Sequence, residues 1–303
     1  MQPVKPNIGG QAVIEGVMMR GPKTTAIAVR KNEEIIMKTE ENHSISDKYK
    51  FLKLPILRGM VALVEMMVLG IQTLSYSASV AGIDDEEELT GRDIALALVS
   101  ALGFAVVLFI IVPTVAVRFI SGNLQNPFLL SLAEGIIRIA IFVIYIMVIS
   151  SMKDIRRVFE YHGAEHKAVH CFEHDEKLTP ENAEKYTTIH PRCGTSFMMV
   201  VMVVSILLFS VMGWPGIIQR IVSRIVMLPL VSGISYEFIR LAGKSNSPFI
   251  RALNTPGMWL QKLTTREPDK YQLEVAIAAL KGVLNCPPIA ITVGLTEFSR
   301  VVR

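Results

Sequence analysis

The sequence predicts an all-α multi-pass membrane protein of about four transmembrane helices, with a small N-terminal β element and cytosolic helices. Apolar residues make up 51% of the 303 residues, and the mean hydropathy of +0.42 is high for a soluble protein. The apolar residues are also clustered. A run of about twenty uncharged residues follows Ile94, which is enough to cross a hydrocarbon core of ~30 Å.

The net charge limits the classes of binding partner, and the cysteine content indicates the redox compartment. A formal charge of +4 is small for this length and gives no sign of the basic face that nucleic-acid binding needs. The lipid bilayer is the expected partner, and its anionic headgroups and another membrane protein are further candidates. Cys171, Cys193 and Cys286 are too few and too widely spaced for a disulfide framework, as expected in a reducing compartment.

Residues 1–54 are predicted to form a cytosolic β-rich segment. The runs 24–30 and 34–39 are rich in strand-forming residues, and the short stretch between them suits a hairpin loop. The preceding motif, Gly9 to Pro22, is an apolar strand punctuated by glycines.

Residues 55–93 are predicted to hold an amphipathic or interfacial helix and an acidic linker. The apolar part, 55–82, carries Arg58 and Glu65. It is open whether this part lies in the interface, re-enters the membrane, packs on the bundle or crosses the membrane.

The membrane segments are predicted within 94–151 and 197–241. The four predicted spans are Ile94–Arg118, Phe128–Ser151, Phe197–Met212 and 217–241. Lysine and arginine are frequent before the first span, in the His-rich loop 152–196 and in the tail 242–303, and they are missing from the two other connections. By the positive-inside rule these segments and both termini are cytosolic, and the tail forms cytosolic or interfacial helices.

The His-rich loop contains the clearest chemical signal. Four histidines recur at every fourth residue from 162 to 174, so that on a helix they share one face with a drift of about 40° per step. His162, Glu165 and His166 follow the H-x-x-E-H order, in which two histidines bind a metal and the glutamate acts as a general base. The same face would also suit anionic lipid headgroups.

Three further residues are candidate metal ligands. His190 and Cys193 are good zinc ligands in the same loop, and Glu237 is a carboxylate at membrane depth. A shell of His162, His166, His190 and Cys193 would be closed and structural, whereas fewer ligands and a water would make a catalytic site. The alternative for Glu237 is a buried ion pair with an arginine, for which the candidates are Arg138, Arg220 and Arg240. Glu15 is a candidate base or ligand, with a structural carboxylate as its alternative.

Three motifs resemble those of the bacterial YqhQ family. They are Gly9–Pro22, Tyr161–Lys167 and His190–Phe197. The resemblance implies a bacterial plasma-membrane protein of a family of unknown function, sometimes labelled a predicted metal-dependent enzyme. The matching motif positions are Glu15, Arg20, His162, Glu165, His166, His190, Arg192 and Cys193.

Two functional hypotheses follow. The first is a metal-dependent hydrolase at the cytosolic membrane face, with zinc or another divalent metal as cofactor and Glu165 as base. Arg20 and Arg192 would hold an anionic group of the substrate. The second is a non-enzymatic accessory or scaffold factor in membrane-protein biogenesis or assembly, whose metal site is structural or lacking.

Overall fold

The computed structural model describes residues 6–82, 91–120, 126–191, 193–213, 216–242 and 248–285. Its N-terminal part is an antiparallel sheet in the order β1-β2-β3-β4. The strands are β1 Gly9–Val13, β2 Gly16–Arg20, β3 Thr24–Lys31 and β4 Glu34–Glu41. This confirms the predicted β element. The glycine-rich motif forms two strands instead of one, because a two-residue turn at Ile14 and Glu15 reverses the chain.

Most of the rest of the described chain is helical. The short helices are α1 Ile45–Lys48 and α7 Pro180–Ala183. The long ones are α2 Leu57–Ala81, α3 Gly91–Val106, α4 Val112–Ile120, α5 Pro127–Ile149, α6 Lys153–Glu173, α8 Gly194–Val211, α9 Ile217–Ala242, α10 Pro248–Thr264 and α11 Lys270–Asn285. A π-helical segment, Val107–Ile111, joins α3 to α4 and ends two residues before Pro113, which cannot donate a backbone hydrogen bond.

Both faces of the sheet are covered. Val17, Met19 and Ala28 pack into a core formed with α6 and α11. On the other face, Met18 and Ile27 pack against α2. Strands that are buried on both sides have continuous apolar sequences instead of alternating ones, which explains the uninterrupted apolar run in β2.

In the part of the chain that the structure describes, four helices are long and apolar enough to cross a membrane: Leu57–Ala81, Ala95–Phe119, Pro127–Ile149 and Ile217–Leu241. The predicted number of about four is confirmed. The four helices differ from the four predicted spans in one case. The predicted span at Phe197–Met212 corresponds to a shorter apolar helix, Phe197–Val211, whereas α2 is long and apolar enough to be counted as a span. Outward-facing apolar side chains such as Leu96 and Val99, each about two-thirds exposed, indicate association with a lipid bilayer.

Helix α2, which the sequence left undecided, contacts two different parts of the molecule. Near its start, Gly59 packs against Gly233 of α9. Near its end, the hydroxyl of Ser77 accepts a hydrogen bond from the Ile14 N–H at 3.1 Å, and Leu69 and Tyr76 lie on the sheet. Because its second half covers the sheet, α2 links the β unit to the membrane helices.

Helices α6, α10 and α11 form the polar part of the fold together with the sheet. Three residues separate the end of α5 at Ile149 from the start of α6 at Lys153, and α6 packs against α11. Helix α10 packs on α8, and its Leu260 contacts Phe142 and Ile146 of α5. The predicted His-rich loop is therefore largely a helix, held between the sheet and the ends of the membrane helices.

Candidate metal centre

The histidines of α6 face a non-helical segment of the chain, residues 188–191, which is called the crossing segment below. This segment presents backbone carbonyl groups to the imidazole rings. The Thr188 carbonyl lies 2.5 Å from His166 Nδ1, and the Ile189 carbonyl lies 3.0 Å from His170 Nε2. The helix thus supplies the four-residue spacing, and the crossing segment fixes the orientation of the rings.

One candidate metal centre consists of His162, His166 and Cys193, whose ligand atoms all lie within 4.8 Å of one another. His162 Nε2 is 3.2 Å from Cys193 Sγ, and His162 Nδ1 is 2.8 Å from the Thr264 carbonyl. A carbonyl accepts a hydrogen bond, so Nδ1 carries the proton in both histidines and Nε2 keeps its lone pair. Metal-binding histidines are held in this way by a partner at the other ring nitrogen.

The second nitrogen of His166 strengthens this interpretation. His166 is only 2% exposed, and its Nε2 atom is buried without a hydrogen-bond partner among the described residues. Burial lowers the pKa of His166, which favours the neutral imidazole that binds metals. The donor set of two imidazoles and one thiolate suits zinc.

A second group, formed by His170, Glu173 and His190, lies beside the first. Its ligand atoms are also within 4.8 Å of one another, and His190 Nε2 is 3.3 Å from Glu173 Oε2. The side chain of Gln261 fixes the His190 main chain through two hydrogen bonds of 2.8 Å. The structure therefore assigns His190 to a different group from His162, His166 and Cys193.

Two members of the second group were not named as ligands from the sequence. His170 shares the histidine face of α6, and Glu173 follows it by three residues on the same helix. Their spacing of three residues on one helix is the sequence feature that could have indicated a second pair of ligands. The role of His190 as their neighbour depends on the crossing segment, which the sequence pattern does not reveal.

A cavity of ≈ 360 Å³ adjoins the first group. Strands β1 and β2, helices α2 and α6 and the start of α8 all border it. The residues most relevant to chemistry in its wall are Gly10, Arg20, Met66, Glu165, His166 and Cys193. Since His190 also lies in its wall, the cavity has a carboxylate, an arginine and three candidate ligands around one space.

Glu165 is the buried carboxylate of this cavity, with 6% exposure. It lies against Gly10, where an added Cβ atom would be 2.9 Å from the Glu165 carboxyl carbon, and the Gly10 backbone donates a hydrogen bond to it. Burial raises the pKa of Glu165, and the nearby His162 and His190 lower it to a lesser extent. An acid held in this environment is suited to taking up and releasing protons.

Arg20 supplies positive charge at the cavity wall. Its Nη1 atom lies 3.0 Å from Met66 Sδ, a weak acceptor. Within the described ranges no carboxylate pairs with Arg20, so its guanidinium is available to an anion. Arg192, the other predicted anion-binding residue, lies outside the described residues.

Two predicted site residues lie elsewhere. Glu15, at the β1–β2 turn with a φ of 50°, accepts hydrogen bonds from Arg157 Nη2 at 2.6 Å and from the Tyr161 hydroxyl at 3.2 Å. Glu237 accepts from Arg58 Nε at 2.6 Å and from Arg58 Nη2. Neither carboxylate belongs to the metal groups found among the described residues. Glu237 joins α9 to α2, and its partner is not one of the three arginines considered from the sequence.

The fold defines a membrane-associated protein in which a histidine–cysteine cluster lies where the polar part meets the membrane helices. A family model described as "Protein of unknown function (DUF1385)" matches residues 54–286. The chain is 32% identical over 301 residues to the "Uncharacterized protein YqhQ" of Bacillus subtilis (strain 168), with 93% of each chain covered. The chain therefore belongs to this family, as its motifs predicted. No solved structure matches the chain.

Proposed function

We propose that this protein is a membrane-bound, metal-dependent hydrolase. The proposal is carried by the two histidines of the first group, His162 and His166, whose Nδ1 atoms are held by backbone carbonyls. The Nε2 atom of His166 is buried without a hydrogen-bond partner among the described residues, and His166 lies in the same group as Cys193. Three protein ligands leave one position of a tetrahedral zinc ion open, which is the arrangement of catalytic zinc sites.

The residues around the cavity have distinct roles in this proposal. A bound zinc or other divalent metal would supply Lewis-acid chemistry. Glu165 takes the proton from the attacking water, since its buried carboxylate lines the same cavity as His166 and Cys193. Arg20 binds an anionic part of the substrate through its guanidinium fork.

The location of the site supports action at a membrane surface. The cavity is bordered by Met66 of α2 and by Gly194, the first residue of α8. The distribution of lysine and arginine in the loops favours the cytosolic face and cytosolic termini, and family membership favours the bacterial plasma membrane. A substrate that lies in the bilayer with its polar group at this face would reach the cavity directly.

A second candidate function is an accessory or scaffold factor with a structural metal. It is favoured by the position of Cys193, which caps the N-terminus of α8 by accepting from the Thr195 N–H at 3.4 Å. A metal held there would fasten α6 to the apolar helix α8 and would need no substrate. In this role the protein would meet a membrane-protein partner or anionic lipid headgroups through its polar face.

Glu165→Gln separates the two functions, because this carboxylate is not a member of either metal group. The purified full-length protein, loaded with zinc, is assayed against a panel of chromogenic carboxylic and phosphate esters, alongside metal analysis. We expect Glu165→Gln to keep its metal and to lose about 100-fold or more of the hydrolysis rate. Glu184→Gln, an exposed position of the same charge, is the matched control.

The outcomes differ clearly. Equal rates for Glu165→Gln and the wild type would remove Glu165 as the base. A folded, zinc-loaded wild type without activity on any ester would favour the scaffold.

A further inference from the structure

A second cavity, of ≈ 440 Å³, lies where α6, the crossing segment and the end of α10 meet. Its wall contains three basic side chains, which are Arg156 of α6, Lys262 of α10 and Arg266 of the chain that follows α10. Two glutamates also line it. None of its lining residues belongs to the metal groups found among the described residues, so it is distinct from the candidate metal centre. It is called the basic cavity below.

The two glutamates of the basic cavity have cationic partners. Glu160 Oε1 lies 3.5 Å from Arg156 Nε, which belongs to the same wall. Glu267 Oε2 lies 2.8 Å from Nζ of Lys167, a lysine that is only 4% exposed. Each carboxylate is thus balanced by one cation, and neither is left to balance the other two basic side chains of the wall.

Lys262 and Arg266 are the basic side chains that this pairing does not neutralise. Within the ranges that the structure describes, neither side chain forms an ion pair or a hydrogen bond. Arg266 is only partly exposed, and its Nε atom is buried without a hydrogen-bond partner among those residues. A charged donor that is shielded from water without a partner is costly. An anion in the basic cavity would satisfy this donor and would balance the positive charge.

The basic cavity lies at the border between the polar part of the fold and the membrane helices. Arg156 is in the first turn of α6, just after the end of α5. On the other side, α10 packs on the last turns of α5 through Leu260. Trp259, which neighbours Lys262 on the surface of α10, is 65% exposed. An exposed tryptophan at such a border is typical of the lipid–water interface, so the basic cavity is placed to meet lipid headgroups.

We propose that the basic cavity binds a phosphate group. The guanidinium fork of Arg266 suits two oxygens of one phosphate, and the ammonium group of Lys262 adds a compact positive charge beside it. The phosphate has two sources, an anionic lipid headgroup or inorganic phosphate. In the first case the ring of Trp259 would contact the lipid next to its headgroup. Because no candidate metal ligand lines the basic cavity, this site is independent of the proposed hydrolase activity.

The test uses the full-length protein in nanodiscs of phosphatidylcholine, of phosphatidylcholine with increasing phosphatidylglycerol, and of phosphatidylcholine with added inorganic phosphate. Retained lipid is counted by native mass spectrometry, and ligand stabilisation is measured as a rise in the midpoint of thermal unfolding. The variants are Arg266→Gln and Lys262→Gln, and the exposed position of Lys262 guards against a folding defect of the first variant. The control is Lys153→Gln, which removes an exposed lysine at the start of α6 that does not line the basic cavity.

We expect the wild type and Lys153→Gln to bind the phosphate-bearing ligand, and Lys262→Gln and Arg266→Gln each to lose about tenfold in affinity, as for one charge-assisted contact. Binding of phosphatidylglycerol identifies a lipid site, and stabilisation by inorganic phosphate in phosphatidylcholine identifies a site for the free ion. A loss of affinity in either folded variant supports the site. The proposal is overturned if neither ligand binds, or if every variant that folds binds it as the control does.

Discussion

Gly10→Ala is the substitution whose effect follows most directly from the structure. An alanine Cβ atom at this position would overlap the Met18 carbonyl oxygen of the neighbouring strand and would lie 2.9 Å from the carboxyl carbon of Glu165. The first contact is with backbone and cannot be relieved by a side-chain rotation. Strands β1 and β2 must therefore separate locally, and the Glu165 carboxylate must also shift away from β1.

The size of the effect is set by two opposing contributions. Overpacking of a closely packed interior costs about 1–3 kcal/mol. Replacing glycine also lowers the entropy of the unfolded chain, which returns about 0.4–1 kcal/mol. With an overlap cost of about 2–2.5 kcal/mol, in the upper half of the first range, the net loss is about 1–2 kcal/mol. For a chain of this size that corresponds to a fall of about 2–8 °C in the midpoint of thermal unfolding.

The neighbouring glycine provides a matched control. A Cβ atom at Gly9 would meet nothing within 4 Å, so Gly9→Ala gains the entropy contribution without the overlap. We expect its unfolding midpoint to equal or slightly exceed that of the wild type. Both variants are measured as full-length protein in the same detergent, with metal content determined in parallel, and both are expected to keep their metal because Glu165 is not a ligand.

The result that would refute this reasoning is an equal shift for the two variants. In that case the contact between β1 and Glu165 would not hold the cavity wall in place. A loss of metal from Gly10→Ala alone would instead show that Glu165 contributes to the metal shell.

Two further substitutions test other contacts. Gly163→Ala would overlap the carbonyl oxygen of Arg266 where α6 meets the chain that follows α10, so we expect a lower unfolding midpoint and weaker zinc binding, measured by competition with a chelator. Glu237→Gln removes the charge that pairs with Arg58, and we expect a lower unfolding midpoint with unchanged metal content. If this variant instead lost as much metal as a variant of a candidate ligand such as His162, Glu237 would belong to the metal-binding residues.

The fold follows from the sequence to the extent that hydrophobic patterning determines it. The apolar runs predict the long helices, because spanning a bilayer requires an uninterrupted apolar length. The same patterning does not distinguish a span from a helix that covers a sheet. Helix α2 packs against α9 and also against β1 and β3. Its apolar sequence is consistent with both roles, and only the three-dimensional contacts distinguish them.

The candidate site is predicted less completely, for a physical reason. Four-residue spacing places His162 and His166 on one helical face, and this is a local property of the chain. The position of Cys193 beside them depends on how the crossing segment, residues 188–191, lies against α6, and this is set by tertiary packing. Glu237 illustrates the same limit, since its membrane depth is evident from the sequence but its partner Arg58 lies 179 residues away along the chain.

The central claim is tested most directly by the metal content of the detergent-purified full-length protein, measured by inductively coupled plasma mass spectrometry. The wild type is compared with His162→Ala/His166→Ala and with His174→Ala, an exposed histidine at the C-cap of the same helix. We predict about one equivalent of zinc in the wild type and in His174→Ala, as for a single tetrahedral site, and none in the double variant. Equal metal in all three proteins, or none in a folded wild type supplied with zinc, would contradict the account.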